Sequence, residues 1–183
     1  MPLPSPETRQ GKLVTLRPVR EADLEELRVW YNHPENFPFM GRPAPLTEES
    51  QRRWFHSLAD DPGAKVFAVV RIDNDRLIGS ITLRNLHDPA KRGELGILMG
   101  EGGSGYGTDA IRTMLSHAFG PLSLNSVSLE VRGDNRRAIT AYMRSGFRPE
   151  GVLRRRMFKS GALHDLYSMS ILREEFLQDR DES

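Results

Sequence analysis

Residues 100–108 read Gly-Glu-Gly-Gly-Ser-Gly-Tyr-Gly-Thr, with five glycines in the first eight positions. So dense a run suits neither the interior of a helix nor that of a strand, because glycine loses more backbone freedom on ordering than any other residue. Before it, Gly93–Met99 reads as a strand; after it, Ala110, Ile111, Met114, Leu115 and Ala118 form one apolar face of a helix from about Thr108 to Phe119. The chain must therefore contain a strand, a tight turn and a helix in direct succession. The first turn of such a helix has N–H groups with no partner inside it, and together with the helix dipole they suit a phosphate. A plain surface turn can share this spelling, so the loop does not decide function by itself.

The flanking pattern sets the fold class. Residues 1–11 are polar and proline-rich and read as a loose leader. Lys12–Val19 reads as a strand, and Glu21–Asn32 as a helix with Leu24, Leu27 and Tyr31 on one face, ended by His33-Pro34. The stretch 36–45 holds three prolines and reads as irregular. Thr47 suits the N-cap of a second helix, whose inner face is Gln51, Trp54, Phe55 and Leu58. Lys65–Ile72 and Arg76–Leu86 read as strands joined at Asp73-Asn74-Asp75, a hairpin signal. Val127, Leu129 and Val131 alternate with Ser126, Ser128 and Glu130 as in a half-buried strand. A helix over Asn135–Ser145 stops at Gly146. Phe147–Leu172 reads as two strands around Lys159-Ser160-Gly161, followed by a polar tail at 178–183. The order β-α-α-β-β-β-α-β-α-β-β predicts an α/β protein, a mixed and mostly antiparallel sheet flanked by helices, in one domain spanning 1–183.

Composition removes several functions. With 26 basic and 25 acidic residues, a net charge of +1 argues against nucleic acid as the main partner. Cysteine is absent, which excludes a thiol nucleophile, disulfides and thiolate metal ligands. The five histidines are scattered without ligand spacing, so no metal is expected. No apolar stretch reaches the ~20 residues of a membrane span, and the start lacks the apolar run of a signal peptide. A cytoplasmic protein with no membrane partner is expected.

Two phosphate fingerprints can be tested on the glycine loop. The nucleoside-triphosphate loop fails, since no lysine follows the glycines. The dinucleotide fingerprint fits loosely as Gly105-x-Gly107-x-x-Ala110, with Glu130 some twenty residues on, which keeps an NAD(P)-binding oxidoreductase open. That fingerprint belongs at the first strand–helix turn of a βαβ unit, whereas here hairpin strands come earlier. Further on, Asn135 and Tyr142 stand two helical turns apart on one face, about 10 Å from each other. Each has an ordinary structural explanation, a cap and a core ring. Beside a phosphate-cradling loop they also suit a phosphorylated thioester, the amide holding a peptide-like arm and the phenol giving a proton to a departing thiolate.

These residues resemble the GNAT acetyltransferases. That family's core pattern is Gln/Arg-x-x-Gly-x-Gly/Ala at a strand–helix turn, matched here by Gly102-x-x-Gly105-x-Gly107. Its later run Asn-x-x-Ala-(I/L)-x-x-Tyr-x-x-x-Gly-Phe is matched at each defined position by Asn135, Ala138, Ile139, Tyr142, Gly146 and Phe147. The opening LVTLRPVREADLEEL and the closing MFKSGALHDLYSMSILREEF look like the subgroup of ribosomal-protein N-terminal acetyltransferases. One departure stands out: Gly102 replaces the Gln or Arg of the pattern. The resemblance implies acetyl-CoA as cosubstrate and direct attack by a small-molecule or peptide amine. A protein N-terminus, a polyamine and an amino sugar are all open as acceptors. By position it implies main-chain contacts from Ile97, Leu98 and Met99 to the pantetheine arm. It also implies a pyrophosphate cradle from Gly103, Ser104, Gly105, Tyr106, Gly107 and Thr108, with Asn135 and Ala138 beside the cofactor. Tyr142 would be the acid, and Glu130 or Glu94 the base, although either carboxylate would equally suit a plain ion pair with Arg132 or Arg92. His164, Asp165 and the aromatic residues in or beside 33–45, namely Trp30, Tyr31, Phe37 and Phe39, are assigned to the acceptor side. A non-catalytic CoA-binding module is the further alternative, and pairing into a homodimer is open.

Overall fold

The structure, a computed structural model, describes residues 8–181. Eight strands form one sheet: β1 (Arg9–Gln10), β2 (Val14–Pro18), β3 (Lys65–Arg71), β4 (Leu77–Arg84), β5 (Arg92–Met99), β6 (Ser126–Arg132), β7 (Arg148–Lys159) and β8 (Ala162–Leu172). Their order across the sheet is β1-β2-β3-β4-β5-β6-β8-β7. Each neighbouring pair is antiparallel except β5 and β6, which run parallel. Five α-helices accompany it: α1 (Leu24–Asn32), α2 (Glu48–Ser57), α3 (Tyr106–Phe119), α4 (Arg136–Arg144) and α5 (Arg173–Asp181).

The two faces of the sheet differ in chemistry. On one face Val14, Leu16, Phe67, Val69, Ile81, Leu83, Leu95, Val127 and Leu129 meet Ile111, Met114, Leu115 and Ala118 of α3, all buried in one core. Each of these side chains larger than alanine contributes roughly 1.5–3 kcal/mol by leaving water, so α3 and the loop that precedes it are firmly seated. On the other face Leu27, Ala68, Val70 and Leu77 make a smaller cluster with Val19 and Trp30, under α1. Beyond that cluster the same face turns polar, through Ser80, Thr82 and Arg84 on β4 and Glu94 on β5, and these residues line an open cleft. A sheet face that is neither apolar nor covered is available to a ligand.

Several expectations need correction. Residues 9–10 of the expected leader pair with β2, Arg9 opposite Leu16 and Gln10 opposite Thr15; residues 1–7 lie outside the described part. The expected tail from 178 is helical as far as Asp181, because α5 follows β8 directly and anchors Phe176 against Phe119, rings 5.4 Å apart. Residues 182–183 lie outside the described part. The helix expected from about Thr108 begins at Tyr106, since Gly105 at φ +81° is its N-cap. Glu21–Asp23 form a 3-10 turn ahead of α1. The short β1 and the α5 boundary escaped because neither carries a full period of apolar residues.

Candidate active site

The parallel pair β5–β6 supplies the site's main geometric feature. Its ladder covers only Arg92–Glu94 against Ser126–Ser128 and then stops, although both strands continue. On its other side β5 stays paired with β4 from Glu94 to Met99. The Gly100 N–H donates to the Ile78 carbonyl at 2.9 Å, which fixes the phase of that ladder. Since antiparallel pairs alternate, Glu94, Gly96 and Leu98 turn their main-chain groups toward β4. Leu95, Ile97 and Met99 turn theirs into the gap beside β6. Of the three residues assigned to a ligand arm, Ile97 and Met99 thus offer free backbone groups, while those of Leu98 are committed to the sheet. The Met99 carbonyl receives only a long contact, 3.4 Å, from Asn36 Nδ2.

The glycine loop follows at the end of β5. Gly103, Ser104 and Gly105 have φ of +93°, +51° and +81°, three successive left-handed residues that side-chain-bearing residues rarely supply. This bend ends in the first turn of α3, where no helix carbonyl can reach the N–H groups of Gly107 and Thr108. Glu101 anchors the loop to the β3–β4 hairpin, 2.6 Å from an Arg76 guanidinium nitrogen and 3.9 Å from one of Arg71. The Trp30 indole packs against Gly100: a Cβ built there falls 2.0 Å from two ring carbons. Gly103, Ser104, Gly105, Gly107 and Thr108 line the cleft, as do Ile97, Leu98 and Met99. Tyr106 differs from the expectation. Its ring packs on the core and lies under the Arg71 guanidinium at 5.1 Å, leaving only its backbone near the cleft, because the helical turn points the side chain away from the loop.

From the far side, α4 faces the same cleft. The Asn135 Oδ1 caps the helix by accepting from the Ala138 N–H at 3.2 Å. Its Nδ2 has no hydrogen-bond partner among the described residues, so the cap and a ligand contact are compatible on one side chain. Ala138 lines the cleft beside it. Tyr142 is 6% exposed, its ring 5.8 Å from that of Phe147, and it lines the cleft with no hydrogen-bond partner among the described residues. Burial pushes its phenol up to about 12, which keeps it protonated at neutral pH.

Both candidate bases reach the cleft. Glu94 accepts from Asn85 Nδ2 at 3.2 Å, and Glu130 has no partner among the described residues. Neither makes the ion pair considered for it, since Arg92 is taken by Asp88 and Arg132 by Asp134. Leu27, Tyr31, Phe39, Met40 and Trp54 also line the cleft, on the side assigned to the acceptor. Two buried cations hold its wall. Arg132, 7% exposed, donates to the Pro38 carbonyl at 2.8 Å with its guanidinium 5.0 Å from the Phe39 ring. Lys159, 3% exposed, donates to the Met40 and Arg42 carbonyls and sits 3.4 Å from the centre of the Phe37 ring. Neither cation was visible from sequence, because only the fold brings the β6 and β7 ends to the proline-broken segment.

His164 and Asp165, assigned to this side, do not line the cleft, although Met157, paired with His164, and Leu166 do. His164 Nε2 approaches the Lys159 carbonyl at 3.2 Å, and Asp165 accepts from the Arg155 N–H at 2.7 Å, both within the β7–β8 hairpin. Trp30 and Phe37 serve as anchors, and Tyr31 and Phe39 are the aromatic residues of this segment that line the cleft. Among the described residues no group of three His, Asp or Glu side chains could hold a metal ion, and no helix is long and apolar enough to cross a membrane.

The family profile described as "Acetyltransferase (GNAT) domain" matches residues 14–148, a span that holds the β5–β6 gap, the glycine loop and α4. The chain belongs to the GNAT acetyltransferases. As a member it is an N-acetyltransferase, a family that implies acetyl-CoA as cosubstrate, and the oxidoreductase alternative falls away. Among its relatives is the uncharacterized N-acetyltransferase p20 of Bacillus licheniformis, 27% identical over 93% of this chain and 98% of that protein. Spermidine N(1)-acetyltransferase of Escherichia coli K12 is 25% identical over 91% and 89%. In fold it is similar to spermidine N-acetyltransferase from Vibrio cholerae, solved in complex with CoA and spermine (TM-score 0.82, 24% identity, covering 90% of this chain and 98% of that one). It is also similar to Mycobacterium smegmatis RimJ in complex with CoA-disulfide (TM-score 0.80, 23% identity, 93% and 89%).

Proposed function

We propose that this GNAT enzyme binds acetyl-CoA along the open edge of β5, with the arm against the backbone of Ile97 and Met99 and the pyrophosphate over Gly103–Thr108. Residues 8–181 act as one catalytic unit in this reading. The residues present suit the cosubstrate. The strand edge offers unpaired amide groups to a ligand arm that itself contains amides, and the left-handed loop with the N-terminus of α3 offers donors to phosphate. When bound, acetyl-CoA supplies an activated thioester.

The chain's own groups divide the remaining work. Glu130, free of partners in the cleft, accepts the amine's proton directly or through a water, and Glu94 on the neighbouring strand adds negative charge that favours a cationic amine nearby. Tyr142 donates from its phenol to the developing thiolate. A phenol at about 12 is a weaker acid than a free thiol at about 8.5, so its contribution is a hydrogen bond that strengthens as charge builds on sulfur. As the C–S bond breaks, the nitrogen loses its second proton to solvent water, and the departing thiolate takes a proton from solvent water while Tyr142 keeps its own.

The observation that carries this reading is an unpartnered phenol, that of Tyr142, on the same cleft as the unpaired β5 edge. Replacing Tyr142 with Phe keeps ring and burial. Turnover, followed by release of free thiol, should fall about 100-fold or more, with acetyl-CoA affinity unchanged. Unchanged turnover would remove Tyr142 from the reaction. Glu130→Gln should lower kcat/KM more than Glu94→Gln, and the reverse order would exchange their roles. For the acceptor, the ends of the chain resemble ribosomal-protein N-terminal acetyltransferases, which supports a protein N-terminus. The spermidine-acetylating relatives support a polyamine. A panel of amines with peptides, polyamines and amino sugars separates these classes by kcat/KM.

A further inference from the structure

The family pattern places Gln or Arg where this chain has Gly102, and the position is not empty. A Cβ built on Gly102 falls 2.9 Å from Cζ of Arg137 and 3.1 and 3.2 Å from its two terminal nitrogens. The guanidinium of α4 therefore lies on the glycine loop, in space a side chain at 102 would take.

The setting of Arg137 calls for an anion. Arg136 and Arg137 open α4, and its first turn holds no acidic residue. Cations at the positive end of a helix dipole are unfavourable, where acidic residues belong. Asp134, the nearby carboxylate, is occupied by two hydrogen bonds from Arg132. No carboxylate pairs with Arg136 or Arg137 among the described residues, and both line the cleft. Two uncompensated guanidiniums at a helix start, one resting on a phosphate-type loop, are most stable with a multiply charged anion between the two elements.

We infer that Arg137 supplies from α4 the side chain that the loop lacks at Gly102, pairing with the pyrophosphate of CoA across the gap between loop and helix. This rests on the cosubstrate placement proposed above. A guanidinium can serve two phosphate oxygens in its planar fork, so the loop keeps a cationic clamp although its own residue is glycine.

The test is calorimetric titration of the full chain with CoA and with 3′-dephospho-CoA. Arg137→Ala should weaken both ligands about tenfold or more and by similar factors. Adding Gly102→Arg to Arg137→Ala should recover most of the loss, since the space is then vacant and Gly102 is not in a left-handed conformation. The urea midpoint of free Arg137→Ala should not fall, because a cation leaves the positive helix end; a purely structural arginine would lower it. Unchanged affinity for both ligands, or loss confined to CoA, would overturn the assignment, the latter by moving Arg137 to the 3′-phosphate. Failure of the unaltered protein to bind either ligand would instead sink the placement of the cosubstrate itself.

Discussion

Gly100→Ala sets two physical effects against each other at the hinge between β5 and the loop. Backbone entropy favours the substitution: where the conformation allows alanine, Gly→Ala stabilises by about 0.4–1 kcal/mol through the unfolded state, and Gly100 is not among the residues with positive φ. Packing opposes it. The new methyl falls 2.0 Å from Cδ2 and Cε2 of Trp30 and 2.5 Å from its Nε1, whereas carbon atoms settle at ~3.5–4.0 Å. The indole, wedged against Leu27, Ala68, Val70 and Leu77, must retreat by about 1.5 Å or push the loop outward. Overpacking of this kind costs about 1–3 kcal/mol, so the net expectation is a loss of about 1–2 kcal/mol. With an m-value near ~2 kcal/mol/M, the urea midpoint should drop by roughly 0.5–1 M. The same substitution made beside Trp30→Ala should cost nothing or stabilise, and the difference is the coupling energy of the pair. Equal effects in both backgrounds, or stabilisation in the parent, would refute the account of why residue 100 is glycine.

His117 is 5% exposed on α3, where burial, with help from Arg9 and Lys65, depresses its pKa to about 4. Arg9 Nε donates to its Nδ1 at 3.0 Å, which requires the neutral ring. The unfolded chain then takes up a proton below ~6.5 that the folded chain refuses until about 4. Stability is full above that upper value and falls by up to about 2–3 kcal/mol as pH drops through this window. Urea midpoints of the parent and His117→Gln at pH 7 and pH 4.5 should show a smaller acid loss in the variant; parallel losses would contradict the assignment. Lys159→Met should unfasten residues 37–42 from two carbonyl contacts, raising KM for the amine about tenfold with acetyl-CoA affinity unaltered. An unchanged amine KM would show that the segment needs no latch.

Most of the fold was legible because its elements carry full periods: the alternation at Val127, Leu129 and Val131 and the apolar face of α3 each bury as expected. Where the period was short, as at Arg9–Gln10, pairing with β2 made a strand that two residues cannot announce. The candidate site was legible wherever it rests on local chemistry. Left-handed φ at Gly103 and Gly105 follows from glycine, and Asn135 caps α4 as its spelling suggests. What remained hidden depends on contacts across the chain: Lys159 on residues 40 and 42, Arg132 on residue 38, and Arg137 over Gly102. His164 and Asp165 do not line the cleft although Met157, paired with His164, and the adjacent Leu166 do, because which side chains of the hairpin turn inward depends on its register. The phase of β5, which separates Ile97 and Met99 from Leu98, required the register with β4.

That phase gives the most direct test of where the cosubstrate lies. Residue-resolved amide hydrogen exchange would be followed with and without saturating CoA, with binding verified on the same sample. Exchange should slow by tenfold or more at Ile97, Met99, Gly107 and Thr108, with Leu98 and Gly96 unchanged because β4 already protects them. Saturation that leaves the Ile97 and Met99 amides at their free rates would contradict docking along the open edge of β5.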